Sequence, residues 1–183
     1  MLETPRLRLT CMGTTHQRGL SEMNADPEVM VHFPAVMTHA QSAAHLARMQ
    51  AHWAAHSFGL FAMHHKESGA FLGFTGLTHP GYETPFTPCV EVGWRLHRSA
   101  WGKGYALEAA HACLNWGFAT LKLSEIVSFT ARENLRSIAL MQRLKMQRNP
   151  CEDFEHPMLP LGHPLSWHVL YRISKPPAAP DCG

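Results

Sequence analysis

Residues 94–111, WRLHRSAWGKGYALEAAH, decide the fold. A strand ends here, a short loop carries Gly102 and Gly104, and a helix begins. Helix N-termini present free N–H groups and roughly half a positive charge. Glycines let such a backbone close around an anion such as a pyrophosphate, and Lys103 adds a cation. The spacing is not that of a Walker A loop, GxxxxGK[ST]. Nor is it the dinucleotide fingerprint GxGxxG/A, because Leu107 stands at the last position. For a bare GxG the plain alternative is a tight turn between strand and helix.

Outward from this segment the pattern continues on both sides. CVEVGWRLH (89–97) alternates, with Val90, Val92, Trp94 and Leu96 on one face and Cys89, Glu91, Gly93 and Arg95 on the other; Gly93 is a candidate bulge. From Gly104 the period becomes helical, with Leu107, Ala110, Leu114, Phe118 and Leu121 in one stripe. A strand over Glu125–Thr130, a helix opened by Asn134 and a strand over Ser166–Ile173 follow. Upstream, the sequence predicts a strand over Arg6–Cys11 and short helices over His16–Asn24 and Pro27–Phe33, the latter capped by Asp26. A longer helix runs from Thr38 to about His56. Phe58–His65 and Phe71–Thr78 form a hairpin about Lys66-Glu67-Ser68-Gly69. HPGYETPFTP (79–88) reads as a loop of open role. Hairpin-linked strands followed by crossover helices make the fold α/β. We expect one domain over residues 1–174 with a mixed, mostly antiparallel sheet of about seven strands flanked by helices, and a Pro-rich tail over 175–183.

The 183 residues suit one domain. The formal charge of +2 is too balanced for a dedicated nucleic-acid binder. Apolar stretches are interrupted by Glu108, His111 and Asn115, well short of the roughly 18 residues of a membrane span. MLETPRLRL has no apolar core of a signal peptide. Five scattered cysteines without a CxxC read as reduced thiols in a cytoplasmic protein.

WGKGYALEA (101–109) resembles the cofactor loop of the GNAT superfamily of N-acetyltransferases, [QR]-x-x-G-x-[GA]. Gly104 and Ala106 occupy the two small positions, and Trp101 stands in for Gln or Arg. TPRLRL, VEVGWRL and NLRSIALMQRL resemble further segments of its ribosomal-protein N-terminal acetyltransferase (RimJ/RimL-like) branch, so the likeness runs from about Thr4 to Ser174. The resemblance implies acetyl-CoA as donor and a primary amine, on a protein N-terminus or a small molecule, as acceptor. It implies that Trp101, Gly102, Lys103, Gly104, Tyr105 and Ala106 cradle the CoA pyrophosphate. Trp94, Arg95 and Leu96 would pair with the pantetheine arm. A homodimer is compatible with this reading; no metal, nucleic acid or membrane is expected.

An amine attacks a thioester only when neutral. With an α-amine pKa near ~8 and a lysine near ~10.4, a base helps. Glu91 is the candidate base. The family's thiol-protonating Tyr is replaced near Met141, and Ser137 resembles the substitute in this branch. Asn134 reads as a helix cap compatible with a cofactor contact. Glu108 is explained by the helix N-terminus alone. Lys145 stands where the family often has Gly. The acceptor side would be lined by Met23–Val36 and by Cys151–Leu165, whose Glu152, Asp153 and Glu155 are suited to a cationic amine. No cysteine sits in a motif for a covalent acyl-enzyme, so direct attack in a ternary complex is expected. Two other classes compete. One is a non-catalytic acyl-CoA sensor that makes Glu91 and Ser137 incidental. The other is a metal-dependent binding protein built on His52 and His56, which share a helix face with His45.

Overall fold

The computed structural model describes residues 1–175. Apart from Lys175, the tail expected over 175–183 lies outside the described residues. The chain runs through β1 (Leu2–Glu3), β2 (Leu7–Cys11), α1 (Gln17–Ala25), α2 (His39–His56), β3 (Leu60–His65) and β4 (Phe71–Thr78). It continues through β5 (Glu91–Leu96), α3 (Tyr105–Ala119), β6 (Glu125–Ala131), α4 (Leu135–Arg143), β7 (Gln147–Arg148), β8 (Phe154–Glu155) and β9 (Trp167–Ser174).

Among the described residues the sheet has nine strands in the order β1-β2-β3-β4-β5-β6-β9-β7, with β8 pairing β9. The fold is the expected α/β one. The strand count exceeds seven because β1, β7 and β8 have two residues each, too few for alternation to declare them. All pairings are antiparallel except β5–β6. Each face of the sheet carries its own core. Val92, Leu96, Ala110, Leu114, Phe118 and Met141 pack on the side of α3 and α4. Leu20, Met23, Leu46, Met49 and Phe74 pack on the side of α1 and α2. No helix of the described residues is long and apolar enough to cross a membrane.

α2 begins as expected. The Thr38 hydroxyl accepts from the Gln41 N–H at 3.2 Å, and the Gln41 side chain accepts from the Thr38 N–H at 2.8 Å. Such a cap contributes about 1 kcal/mol. The helix expected over Pro27–Phe33 does not form. Asp26 does bind the Glu28 N–H at 2.9 Å, but the chain then makes successive turns as far as Ala35. The adjacent Val29 and Met30 are buried but Val31 and Phe33 stay exposed, so burial does not recur at helical spacing to carry the helix on.

Candidate active site

β5 and β6 touch at one register position, Glu91 opposite Val127. The Val127 N–H donates to the Val90 carbonyl at 2.9 Å. One step on, the Ser128 hydroxyl donates to the Val92 carbonyl at 2.9 Å in place of a ladder bond. Beyond that the strands part. Residues alternate their hydrogen-bonding edges along a strand, so the Trp94 N–H and C=O face the same way as those of Val92, into the gap. A cleft of about 1310 Å³ occupies this opening, lined by β5, β6, the start of α4, the 28–34 turns and the 101–107 loop.

The loop has the geometry of an anion cradle. Gly102 and Gly104 adopt φ +72° and +78°, values that side chains rarely tolerate, and a Cβ on Gly102 would meet nothing within 4 Å. Gly104 is the N-cap of α3 and carries no side-chain cap, which leaves the first-turn N–H groups without a side-chain acceptor. Arg6 braces the loop, with Nη1 donating to the Lys103 carbonyl at 3.0 Å and Nε to Oε2 of Glu108 at 2.7 Å. Glu108 also accepts from the Thr4 hydroxyl at 2.5 Å and the Arg6 N–H at 2.9 Å. It thus ties the turn between β1 and β2 to α3, a role beyond the helix-end attraction expected of it. The Arg136 guanidinium stacks on Trp101 at 4.3 Å.

Several expected site residues converge. The Trp94 indole N–H donates to Ser137 Oγ at 3.3 Å, joining β5 to α4 across the cleft. Asn134 is the α4 cap, accepting from the Ser137 N–H at 3.2 Å. The Leu96 carbonyl accepts from the Trp101 indole at 3.0 Å, which ties the end of β5 to the 101–107 loop. Arg95 turns its side chain to the opposite face of the sheet, beside Asn24, Phe33 and Phe74.

Glu91 stands at the apex of the opening, on the face away from α3. Burial pushes its carboxyl up to about 8. Tyr82, which lines the same cleft, comes from the 79–88 loop whose role the sequence left open. Burial, then the nearby Glu91, pushes its hydroxyl pKa upward. Tyr82 packs on His156 at 4.6 Å, and His156 on His168 at 4.8 Å. The His156 Nδ1 accepts from the Met158 N–H at 3.3 Å, and the His168 Nδ1 contacts the Ser166 carbonyl at 3.1 Å. Burial, then His168, holds the His156 imidazole down to about 4, so it is neutral near pH 7. Sequence reasoning missed Tyr82 and His168, and reached His156 only as part of the Cys151–Leu165 segment. They lie on three separate segments, and only the aromatic content of the 79–88 loop hinted at packing.

Of the three carboxylates expected on the acceptor side at Cys151–Leu165, Glu155 is exposed and has no ion pair among the described residues, while the other two are paired. Glu152 pairs with Arg172 at 2.7 Å, and Asp153 pairs with Arg148. The residues that do line the cleft from this segment are His156, Met158 and Leu159. His52 is committed as well. Its Nδ1 contacts the Phe58 carbonyl at 2.9 Å and its Nε2 accepts from the His79 N–H at 3.0 Å, leaving no ring nitrogen for a metal. Lys145 has φ +63°, which explains why glycine suits that position.

A sheet that parts beside a helix start with two positive-φ glycines, with a partly buried carboxyl at the apex, suits a transferase using a phosphate-bearing donor. The acetyltransferase (GNAT) domain matches residues 6–147, and the chain belongs to the GNAT acetyltransferase family. An uncharacterised protein of Bacillus subtilis (strain 168), YkkB, is 30% identical over 146 residues, covering 79% of this chain and 84% of its own. The FsC-acetyl coenzyme A-N(2)-transacetylase of Aspergillus fumigatus is 31% identical over 147 residues, covering 76% of this chain and 62% of its own. Among solved structures, an acetyltransferase from Agrobacterium tumefaciens superposes with a TM-score of 0.76 at 25% identity, covering 95% of this chain and 94% of that one.

Proposed function

We propose that this protein transfers an acetyl group from acetyl-CoA to a primary amine by direct attack in a ternary complex, within a domain spanning residues 1–174. The observation that carries the reading is the parting of β5 and β6 immediately after Glu91, beside the 101–106 loop. A relative of 31% identity named as an acetyl coenzyme A-dependent N-transacetylase supports it. The segments WGKGYALEA and NLRSIALMQRL favour the RimJ/RimL-like branch, and a cytoplasmic setting accords with the cysteine pattern.

The residues fit the donor. Gly102 and Gly104 hold the backbone in the shape that receives a pyrophosphate, and nothing fills the space a Cβ at Gly102 would take. The Trp94 N–H, facing the gap, polarises the thioester carbonyl. Glu91 takes the proton of the amine as it attacks. The Ser137 hydroxyl accepts from the Trp94 indole, so its own hydrogen is free to meet the departing CoA sulfur.

Two measurements test the reading. Thermal unfolding with acetyl-CoA or CoA at ~100 times Kd should add about 2.7 kcal/mol, which raises the midpoint by several degrees. No shift with either at millimolar ligand reduces the loop to a turn. Turnover against an amine panel then separates an enzyme from a non-catalytic acyl-CoA sensor, which binds but does not turn over. In that assay Ser137→Ala should lower kcat about tenfold, the equivalent of ~1.4 kcal/mol in the barrier, with CoA affinity retained. An unaltered kcat removes Ser137 from thiolate departure.

A further inference from the structure

Arg95 is 9% exposed, lines the cleft, and has no carboxylate within ion-pair distance among the described residues. Its Nη1 donates to Oδ1 of Asn24 at 2.6 Å, and its Nε has no hydrogen-bond partner. Phe33 stacks over the guanidinium at 4.0 Å and Phe74 lies at 5.4 Å. Asn24 is itself buried and held by Nδ2 donating to Ser42 Oγ at 3.2 Å. His45, edge-on to Phe74 at 5.8 Å, is kept down to about 4 by burial and then by Arg95, so it is neutral as well. The guanidinium is therefore enclosed by an amide, a neutral imidazole and two aromatic rings. Each positions the charge and none neutralises it. A buried charge of this kind lowers stability unless an anion completes it.

We infer that Arg95 binds a carboxylate carried by the amine acceptor, so that the substrate class is amino carboxylates whose two charged ends lie several atoms apart, rather than simple amines or polyamines. The inference rests on the acetyltransferase reading and deepens it. Arg95 and Glu91 lie on the same face of β5, four residues and so about 13 Å apart along the strand, with the bare Gly93 between them. One end of an acceptor meets the carboxyl that takes its proton, and the other meets the guanidinium. Phe33, on the turns after α1, covers the charge until a ligand displaces it. A guanidinium recognises a carboxylate by two parallel N–H donations, and Nε is one of the atoms that makes them. The other anion in such a reaction is a CoA phosphate. The cradle for that opens α3 on the opposite face of the sheet from the Arg95 side chain, which favours the acceptor.

The test compares matched pairs, 6-aminohexanoate with pentylamine and 8-aminooctanoate with heptylamine, by kcat/KM with acetyl-CoA. The wild type should favour the carboxylate-bearing member at least tenfold, about 1.4 kcal/mol. Arg95→Gln should reduce that ratio at least tenfold. Asn24→Asp is the second variant. It keeps the side-chain shape, gives Arg95 a carboxylate of its own, and should cancel the preference while the melting temperature is maintained or raised. CoA affinity, measured by calorimetry on both variants, should match the wild type. A wild type that binds CoA but treats the paired amines equally overturns the inference and leaves the acetyltransferase reading standing. CoA binding weakened tenfold in both variants overturns it in favour of a phosphate contact. Failure of the wild type to bind CoA sinks both readings together.

Discussion

Glu91→Gln is expected to lower kcat/KM by about 10²-fold or more below pH 8, within the range of a lost general base. Burial sets the raised pKa of about 8, so in the free protein the carboxyl is protonated at pH 6 and charged at pH 9. Use of a lysine-like amine of pKa ~10.4 separates the two ionisations. If Glu91 receives the proton of the bound ammonium, wild-type kcat/KM should climb with unit slope to about pH 8 and then level. The variant should show no break at 8 and should climb on toward the pKa of the amine. Its deficit is then full below pH 8 and shrinks above it. A break at 8 that survives in the variant rules out Glu91. Stability gives a second readout with the opposite sign. A carboxyl whose folded pKa lies above its ordinary 4.5 costs stability as pH rises from about 4.5 through 8, because the unfolded chain releases the proton over a range where the folded protein still holds it. Glu91→Gln removes that cost. It should melt with the wild type near pH 4 and above it at pH 9, by ~2–4 °C for each kcal/mol recovered. A variant that is less active and more stable at high pH marks a carboxyl retained for chemistry rather than for packing.

The strand alternation of 89–97 was legible because both faces of β5 are covered, and alternate side chains had to suit two different cores. It placed Trp94 with the α3–α4 side and Glu91 and Arg95 together on the other, as found. The loop was legible because only glycine sits easily at φ +72° and +78°. What the sequence hid is long-range. Asn24, Ser42 and Arg95 form a chain across α1, α2 and β5, and no local pattern links positions so far apart. Tyr82 and His156 meet through two loops, where turn residues dominate composition and side-chain direction has no period. The acidic segment misled for a related reason. Glu152 and Asp153 are neighbours in sequence, but their charges are cancelled by Arg172 and Arg148 from other strands, so a local excess of carboxylates was not a local field. The missing helix at Pro27–Phe33 belongs here too. Its cap chemistry was right, yet a cap cannot sustain a helix whose buried residues, Val29 and Met30, are adjacent and not repeated a turn later.

Gly102→Val is expected to abolish acetyl-CoA recognition while the fold survives. Two effects act at the same atom. At φ +72° a side chain is strained by about 1–2 kcal/mol, and a β-branched one resists that region most. The bulk also enters the open space within 4 Å of the Cβ position, where the backbone must approach the phosphates. A hundredfold loss of affinity turns a ligand at ~100 times Kd into one at Kd. The stabilisation then falls from about 2.7 to about 0.4 kcal/mol, and the thermal shift all but disappears. Strain alone would lower the melting temperature without touching that shift, so a matched control is needed. Gly162 has φ +76° and likewise nothing within 4 Å of its Cβ position, but it lies outside the cleft lining. Gly162→Val should cost similar stability and keep the full acetyl-CoA shift. Equal shifts in the two variants would mean that the 101–106 backbone does not hold the donor. Loss in Gly102→Val alone separates the cradle from the turn, which the GxG spacing by itself leaves undivided.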